Sequence, residues 1–324
     1  RVQEALFHEK QKIIERCLFG VDINSNSVKI CRLRLWIELL KHSYYTADSD
    51  YGALETLPNI DINIKCGNSL ISRFSIDSDL EIALSKSKFK IADYRKAVEK
   101  YQHAKDKDEK KEMENIISSI KRDFRTGIAS TDPKLAKLNK TLYKLNQLGG
   151  TDELFELTEK EKKGRAKERK KLEKEAEELH KYIDEINSSK IYNHAFEWRF
   201  EFPEVLKENG KFDGFDLIIG NPPYGVSIKG KEREHIVQNI GKVPDFEIYY
   251  WFIDLARALL KENGKLTYII PNTILFNVYA QEYRLNMFSH WRLDEILDCT
   301  NFNIFSDATV QNIIFIFTKT KNQK

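Results

Sequence analysis

The chain has 324 residues, of which 41% are hydrophobic and 32% are charged. This length allows one large domain or two small ones, and the charged fraction indicates a long solvated helical part. A net charge of +3 does not by itself indicate nucleic-acid binding. The sequence has neither a signal peptide nor a run of eighteen apolar residues, so we expect no association with a membrane.

The cysteines are too far apart in the sequence to form a zinc-type or redox pair. They are Cys17, Cys31, Cys66 and Cys299. Their spacing predicts a reduced, cytoplasmic location and no metal site. The chain begins at Arg1, without Met, in what the pattern indicates is a helix. We therefore expect it to be a piece of a longer protein.

Short apolar runs alternate with helical periodicity at both ends of the chain. The first run closes with Asp22, a polar tip that is typical of the end of a buried strand. The predicted strands are 18–23, 60–66, 215–219, 265–270, 293–297 and 312–317, and the predicted helices are 28–40 and 246–260. Strands that alternate with helices predict an α/β domain with a largely parallel sheet.

The segment 86–190 has a different pattern, with apolar residues three and four positions apart, as in a coiled coil. The three apolar runs are Met113, Ile117, Ile120, Phe124; Leu135, Leu138, Leu142, Leu145; and Leu172, Ala176, Leu179, Ile183, Ile186. Helix-breaking residues separate them, at Gly127, Asp132-Pro133 and Gly149-Gly150. We expect a helical insertion folded back on itself, between a first part, 1–85, and a second part, 191–324, of one domain.

The insertion also concentrates the positive charge of the chain. It holds 28 basic and 21 acidic residues, an excess of seven positive charges, although the whole chain has an excess of only three. This excess has two interpretations. It is either a solvated helical face or an arm that contacts nucleic-acid phosphates.

The tetrapeptide Asn221-Pro222-Pro223-Tyr224 follows the predicted strand 215–219 directly. Ligands of parallel α/β sheets collect at the carboxyl ends of strands. The Asn221 side chain and the Pro222 carbonyl can accept the two hydrogens of a planar amine, while two prolines fix the backbone. Tyr224 can stack on a base. The alternative is a rigid turn with a surface tyrosine.

With these residues, the chain resembles the amino-group DNA methyltransferases that carry Asn-Pro-Pro-Tyr. More narrowly, it resembles the methylase part of type IIG restriction–modification enzymes. The resemblance covers 18–70 and 196–318 and implies a Rossmann-like methyltransferase sheet that is incomplete at its N-terminal end. It also implies methyl transfer from S-adenosylmethionine to the exocyclic amine of a flipped adenine in double-stranded DNA, with Asn221, Pro222, Pro223 and Tyr224 as the catalytic residues.

The resemblance extends to residues that hold the cofactor. It implies that Asp22, followed by Ile23, binds the ribose hydroxyls of S-adenosylmethionine. Asn68 and Ser69 match the segment that holds the adenine of the cofactor, where the family more often has Asp in place of Asn68. In the segment 245–252, Phe252 aligns with an aromatic residue beside the cofactor, although a plain core role fits it equally well.

Two further segments match the family. Phe305 aligns with the aromatic residue that contacts the flipped adenine opposite Tyr224, with packing alone as the alternative. The stretch 196–205, Phe-Glu-Trp-Arg-Phe-Glu-Phe-Pro-Glu-Val, resembles the segment before the catalytic strand, and the sequence suggests no chemical role for it.

The glycine-rich cofactor loop of the family and the strand before it do not occur ahead of Asp22. We therefore expect this chain alone to bind S-adenosylmethionine weakly or not at all, and further N-terminal and C-terminal domains to belong to the parent protein. Two other functions stay open. One is methylation of glutamine side chains in proteins, whose amide poses the same chemical problem, although a basic arm is unexpected there. The other is a DNA-binding or scaffold piece of a defence system without catalysis.

Overall fold

Strands and helices alternate in the computed structural model, which describes residues 2–78, 80–130, 133–150, 159–188, 190–244, 247–302, 304–305 and 310–321. The helices are α1 (Val2–Cys17), α2 (Ser25–Leu40), α3 (Leu80–Lys86), α4 (Ile91–Gln102), α5 (Lys107–Ser130), α6 (Pro133–Gly150), α7 (Glu159–Ser188), α8 (Trp198–Glu201), α9 (Gly230–Asn239), α10 (Ile248–Leu259), α11 (Thr273–Phe276) and α12 (Gln281–Phe288). The strands are β1 (Gly20–Asp22), β2 (Ile64–Cys66), β3 (Phe215–Gly220), β4 (Leu260–Pro271), β5 (Trp291–Asp298) and β6 (Asn312–Lys319). The chain therefore has a mixed α/β architecture.

The first sheet consists of β1 and β2, which run parallel with Asp22 opposite Cys66. The strand predicted at 60–66 is confirmed only in its second half, because Ile60–Ile62 forms a 3-10 turn. That turn lets the buried Asn63 side chain donate to the carbonyl of Glu15 at 2.7 Å, which ties the start of β2 to α1.

The second sheet has the strand order β3-β4-β6-β5. Strand β3 is parallel to β4, whereas β6 is antiparallel to both β4 and β5. The expectation of a largely parallel sheet is therefore wrong for this half. The apolar core lies between this sheet and α10, whose Tyr249, Tyr250 and Ile253 are buried against strand residues such as Leu266 and Phe315.

The two sheets meet through aromatic side chains. The Phe19 ring, just before β1, lies 4.9 Å from the Phe202 ring and 6.0 Å from the Phe215 ring at the start of β3. Within the described residues, β1 pairs only with β2, and β3 pairs only with β4. The other edge of β3 therefore remains open, and Leu217 and Ile219 are 55% and 78% exposed.

The first half of the segment 86–190 is packed into the body of the protein. Met113, Ile117, Ile120 and Phe124 of α5 are buried, as their spacing predicts, in a cluster with Tyr94, Phe200 and Leu206. The expectation that Gly127 breaks this helix is wrong, because α5 continues to Ser130. A Cβ at Gly127 would lie 2.6 Å from the Cβ of Ala83, so glycine here permits α5 to approach α3 closely.

The second half of that segment forms a hairpin of α6 and α7. Leu138, Leu172 and Ala176 are buried, at positions of the predicted seam. The side chains of Leu135, Ile183 and Ile186 and the surroundings of Gly149-Gly150 are not among those that the structure describes. The coiled-coil seam therefore stays a prediction. The boundaries proposed at residues 86 and 190 also stay predictions.

Candidate active site

The segment Asn221–Tyr224 leaves the carboxyl end of β3, next to β4. Gly220 pairs with Tyr268 across these parallel strands, and a Cβ at Gly220 would lie 3.0 Å from the Tyr268 ring. Asn221 and Pro223 are exposed and Pro222 is buried, whereas Tyr224 is half-buried against the core of the second sheet. The Asn221 amide therefore faces solvent at the end of a strand, while its neighbours anchor the backbone.

This segment is also fixed at its far end. Gly225 has a φ of 69°, and its N–H donates to the Glu247 carboxylate at 3.2 Å. Glu247 is the residue before α10, which carries Phe252 one turn further on. The Phe252 ring is partly buried and contacts the cores on both sides of α10. Residues 245 and 246 of the matching segment lie outside the described residues.

Asp22 and Asn68 lie close together because β1 and β2 are parallel and end at the same edge. The N–H of Gly67 donates to the Asp22 carbonyl at 3.0 Å. One oxygen of the exposed Asp22 carboxylate accepts from the Asn24 N–H at 2.7 Å. Ile23 presents an exposed apolar side chain beside it. A carboxylate with a free oxygen next to an apolar surface can hold a diol and a flat ring.

The loop after β2 is held by the segment 194–198. The N–H of Asn68 donates to the carbonyl of His194 at 2.6 Å, and the N–H of Phe196 donates to the carbonyl of Asn68 at 3.2 Å. The Trp198 indole donates to the carbonyl of Ser69 at 3.0 Å. The sequence did not suggest a role for 196–205, and these bonds give it one, which is to shape the loop that contains Asn68 and Ser69.

Glu197 also supports this loop, further along the chain from Asn68. Its carboxylate accepts from the Ser72 hydroxyl at 2.7 Å and from the Arg73 N–H at 3.1 Å. Burial raises the pKa of Glu197, although both of these donors oppose that shift. The carboxylate is thus a buried acceptor whose donors all come from the loop after β2.

Glu201, four residues later, joins β2 to α5. Its carboxylate lies 3.1 Å from the Lys65 ammonium of β2 and also binds Lys121 of α5. Burial alone would raise the pKa of Glu201, but the two lysines outweigh it and lower the pKa to about 2. Burial, reinforced by Lys121, lowers the pKa of Lys65 to about 8. Ion pairs through Glu201 therefore connect β2, the strand before Asn68, to α5.

Helix α9, which follows the Asn221 segment, also contacts this loop. Its Glu232 carboxylate accepts from the Asn68 amide nitrogen at 2.9 Å. His235 donates from Nε2 to the carbonyl of Ser72 at 3.0 Å, and its Nδ1 lies 3.2 Å from the Tyr192 hydroxyl. Burial lowers the pKa of His235, which favours this neutral tautomer. Sequence reasoning missed both residues.

Phe305 lies in the connection between β5 and β6. Strand β5 runs in the same direction as β3, because β3 is parallel to β4 and β6 is antiparallel to both β4 and β5. The connection therefore emerges at the edge of the sheet that carries Asn221. Phe305 is half-buried, and within the described residues no ring contact joins it to Tyr224. The pairing of these two aromatic residues stays a prediction.

Two other classes of feature are absent from the described part of the chain. There, no group of His, Cys, Asp and Glu side chains is arranged to hold a metal ion. In the same residues, no helix is both long and apolar enough to cross a membrane.

Comparison with known families identifies the relatives of this chain. The profile described as Eco57I restriction-modification methylase matches residues 16–305. The chain belongs to this family. The match includes β1, β2, helices α3 to α7 and the Asn221 segment, so the resemblance to restriction–modification methylases is confirmed.

Curated relatives agree with membership of the Eco57I methylase family. A protein of Methanocaldococcus jannaschii, named as a type II restriction enzyme and methyltransferase, is 28% identical over 98% of this chain and 27% of its own length. A type II methyltransferase of Aneurinibacillus aneurinilyticus is 29% identical over 32% of the chain and 18% of its own length. An Escherichia coli type II restriction enzyme and methyltransferase is 26% identical over 32% of the chain and 11% of its own length. The chain thus spans about a quarter of the length of the Methanocaldococcus relative.

Proposed function

We propose that this Eco57I-family methylase chain is the catalytic part of a DNA methyltransferase of a type IIG restriction–modification system. It transfers the methyl group of S-adenosylmethionine to the exocyclic amine of adenine. The observation that carries this proposal is the exposed Asn221 at the carboxyl end of β3, next to the buried Pro222. Relatives named as type II methyltransferases support DNA as the substrate.

The chemistry follows from the weak nucleophilicity of the adenine amine, whose lone pair is delocalised into the ring. The side-chain carbonyl of Asn221 and the backbone carbonyl of Pro222 accept its two hydrogens, which localises the lone pair on nitrogen. S-adenosylmethionine, when bound, would supply the electrophilic methyl carbon for that nitrogen, with the sulfur as the leaving group. The proton lost by the methylated nitrogen would pass to solvent.

The proposed cofactor site comprises Asp22, Ile23, Asn68, Ser69 and Phe252. S-adenosylmethionine supplies an electrophilic methyl group on a sulfonium. The exposed carboxylate of Asp22 has an oxygen that can accept from ribose hydroxyls, and Ile23 beside it offers an apolar surface. Asn68 and Ser69 lie on the adjacent strand end, which supports a position beside the adenine of the same cofactor.

The proposed substrate site requires an adenine outside the DNA stack, since a methyltransferase cannot reach the amine inside a duplex. The half-buried Tyr224 supplies a ring for stacking, with Phe305 on the same edge of the sheet as a second ring. Stacking of a base on an aromatic side chain contributes about 1–3 kcal/mol.

We also propose that the insertion contacts the DNA backbone. On α7, the exposed residues Lys163, Lys167, Lys170 and Lys174 form what we call the lysine stripe. At about 100° per residue they share one face, opposite the buried Leu172 and Ala176 that pack toward α6. Over this span of roughly 16 Å the stripe presents four ammonium groups, which suits a row of phosphates.

The test uses the complete protein, duplex DNA and labelled S-adenosylmethionine, followed by digestion to nucleosides and mass spectrometry. The proposal expects N6-methyladenine, and it expects the Asn221→Ala variant to lose most of it. Label in a cytosine amine would overturn the specificity for adenine. Label in a glutamine-containing release-factor peptide, with none in DNA, would identify a protein methyltransferase. DNA binding without transfer to either substrate would identify a non-catalytic component.

A further inference from the structure

The side chain of Asn68 is fixed by two different hydrogen bonds. Its carbonyl oxygen accepts from the N–H of Leu70 at 3.1 Å, and its amide nitrogen donates to the Glu232 carboxylate at 2.9 Å. One bond needs an acceptor and the other needs a donor, so an amide satisfies both. A carboxylate at position 68 would satisfy the first bond and would place two negative charges against each other at the second.

Glu232 belongs to a contact that spans the whole loop after β2. His235, one turn along α9, binds the carbonyl of Ser72 at 3.0 Å, so two residues on one helix face bind the two ends of 68–72. Directly after His235, the buried Ile236 packs in the same apolar cluster as Leu70 and Ile71. The loop therefore has polar bonds at both ends and an apolar contact in the middle.

The same loop is also held by hydrogen bonds from the segment 194–198. Helix α9, in contrast, begins only five residues after Gly225, at the end of the Asn221 segment. The contact with Glu232 thus connects the loop after β2 to the helix that leaves the segment after β3. These two elements are separated by 164 residues in the sequence.

We propose that Glu232 is a positioning residue that orients the Asn68 amide and joins the loop 68–72 to α9 as one rigid unit. This inference rests on the proposed function where it concerns the cofactor. There, the Asn68–Glu232 pair fixes the shape of the pocket for the adenine end of S-adenosylmethionine. Asn68 carries an amide, rather than a carboxylate, because the Glu232 oxygen opposite needs a hydrogen-bond donor.

An exchange of the two groups tests this proposal. Asn68→Asp faces Glu232 with a second carboxylate, and we expect it to weaken S-adenosylmethionine binding by at least tenfold. The double variant Asn68→Asp/Glu232→Gln restores a donor opposite an acceptor, and we expect recovery to within about threefold of the wild-type dissociation constant. Glu232→Gln alone keeps an acceptor for Asn68 and should stay near wild type, whereas Glu232→Ala should lose about tenfold, which corresponds to about 1.4 kcal/mol. The matched control is Glu234→Gln, at an exposed position of the same helix.

Two measurements on the complete protein separate this inference from the proposed function. Calorimetry gives the dissociation constant of S-adenosylmethionine, and hydrogen exchange of the free protein gives the protection of the amides of 67–72. We expect Glu232→Ala and Asn68→Asp to lose protection there and the double variant to regain it. Unchanged protection in Glu232→Ala, or a double variant no better than Asn68→Asp, would overturn the positioning role. If the wild-type protein failed to bind S-adenosylmethionine, the proposed function would be wrong, and the exchange data would still decide whether Glu232 holds the loop.

Discussion

The N–H of Gly225 donates to the carboxylate of Glu247 at 3.2 Å, which joins the end of the Asn221 segment to the start of α10. Gly225 has a φ of 69°, a conformation that glycine adopts without steric cost. The buried Pro222 anchors the middle of the segment. The exposed Asn221 side chain is therefore carried by a backbone that is fixed on both sides.

We expect substitutions at Asn221 and Tyr224 to impair the complete enzyme in different ways. Asn221→Ala removes one of two acceptors that localise the lone pair of the amine, so kcat should fall by about 100-fold or more. Tyr224→Ala removes stacking on the extruded base, which is worth roughly 1–3 kcal/mol, and should act partly through KM.

A fluorescent adenine analogue at the target site distinguishes the two effects, because it reports base flipping separately from methyl transfer. Asn221→Ala should flip the base and methylate slowly, whereas Tyr224→Ala should flip it poorly. A normal rate of methylation by Asn221→Ala would show that Asn221 is only a turn residue.

Glu201 should be among the most important charges for stability. Glu201→Gln leaves Lys65 and Lys121 largely buried without their counter-charge, and breaking a buried pair in this way costs about 3–5 kcal/mol. The control is Glu208→Gln, since Glu208 is 66% exposed in its pair with Arg95 and should change stability by less than about 1 kcal/mol. Urea unfolding of the three proteins at pH 7 makes the comparison.

The contribution of Glu201 should also depend on pH with a definite sign. Its pKa is lowered to about 2 in the folded protein, so its stabilisation is complete above its unfolded pKa of about 4.5 and is lost as the pH falls toward 2. The difference in stability between the wild-type protein and Glu201→Gln should therefore shrink between pH 5 and pH 3. A constant difference over this range would contradict the ionic role.

Asp254 should show the opposite dependence on pH. Burial raises its pKa to about 6, although the Tyr283 hydroxyl, which donates to it at 3.1 Å, opposes the shift. The folded state then favours the protonated acid, and this stabilisation is complete below about pH 4 and is lost as the pH rises through 6. Asp254→Asn keeps an acceptor for Tyr283 and avoids the buried charge. We expect it to be more stable than wild type at pH 8, by up to about 3 kcal/mol, and equal to it at pH 4.

Thermal unfolding at several pH values measures this effect. Asp48→Asn, at an exposed position, is the control and should leave the pH dependence of the melting temperature unchanged. An Asp254→Asn protein that is less stable than wild type at pH 8 would show that the carboxylate is needed in its charged form.

The lysine stripe of α7 should determine part of the salt dependence of DNA binding. Each phosphate contact that is lost reduces the magnitude of the slope of log binding constant against log salt concentration by about 0.9. Replacing all four lysines by glutamine should therefore reduce that magnitude by up to roughly 3.6. An equal number of exposed lysines outside α7 provides the control, namely Lys12, Lys29, Lys211 and Lys321. An unchanged slope in the stripe variant would mean that this face of α7 is only solvated.

The sequence predicted the strands best where local pattern decides the structure. Strand β3 and the segment after it lie where the apolar run and Asn221 indicated. The direction of β6 was not predictable, because antiparallel pairing with β4 depends on partners far away in the chain. Gly127 was misjudged for the same reason, since the contact with Ala83 that explains it is 44 residues away. The bond from Asn68 to Glu232 left no local signal at all.

The open edge of β3 has a consequence for handling the protein. Its backbone N–H and C=O groups on that side need water or another chain as hydrogen-bond partners. The exposed apolar side chains of Leu217 and Ile219 also favour association with another strand. A concentrated preparation of this chain should therefore self-associate by strand addition at β3. Because Asn221 follows this strand directly, a second chain bound at β3 would hinder access of a substrate to Asn221. Dilution should dissociate such oligomers and restore this access.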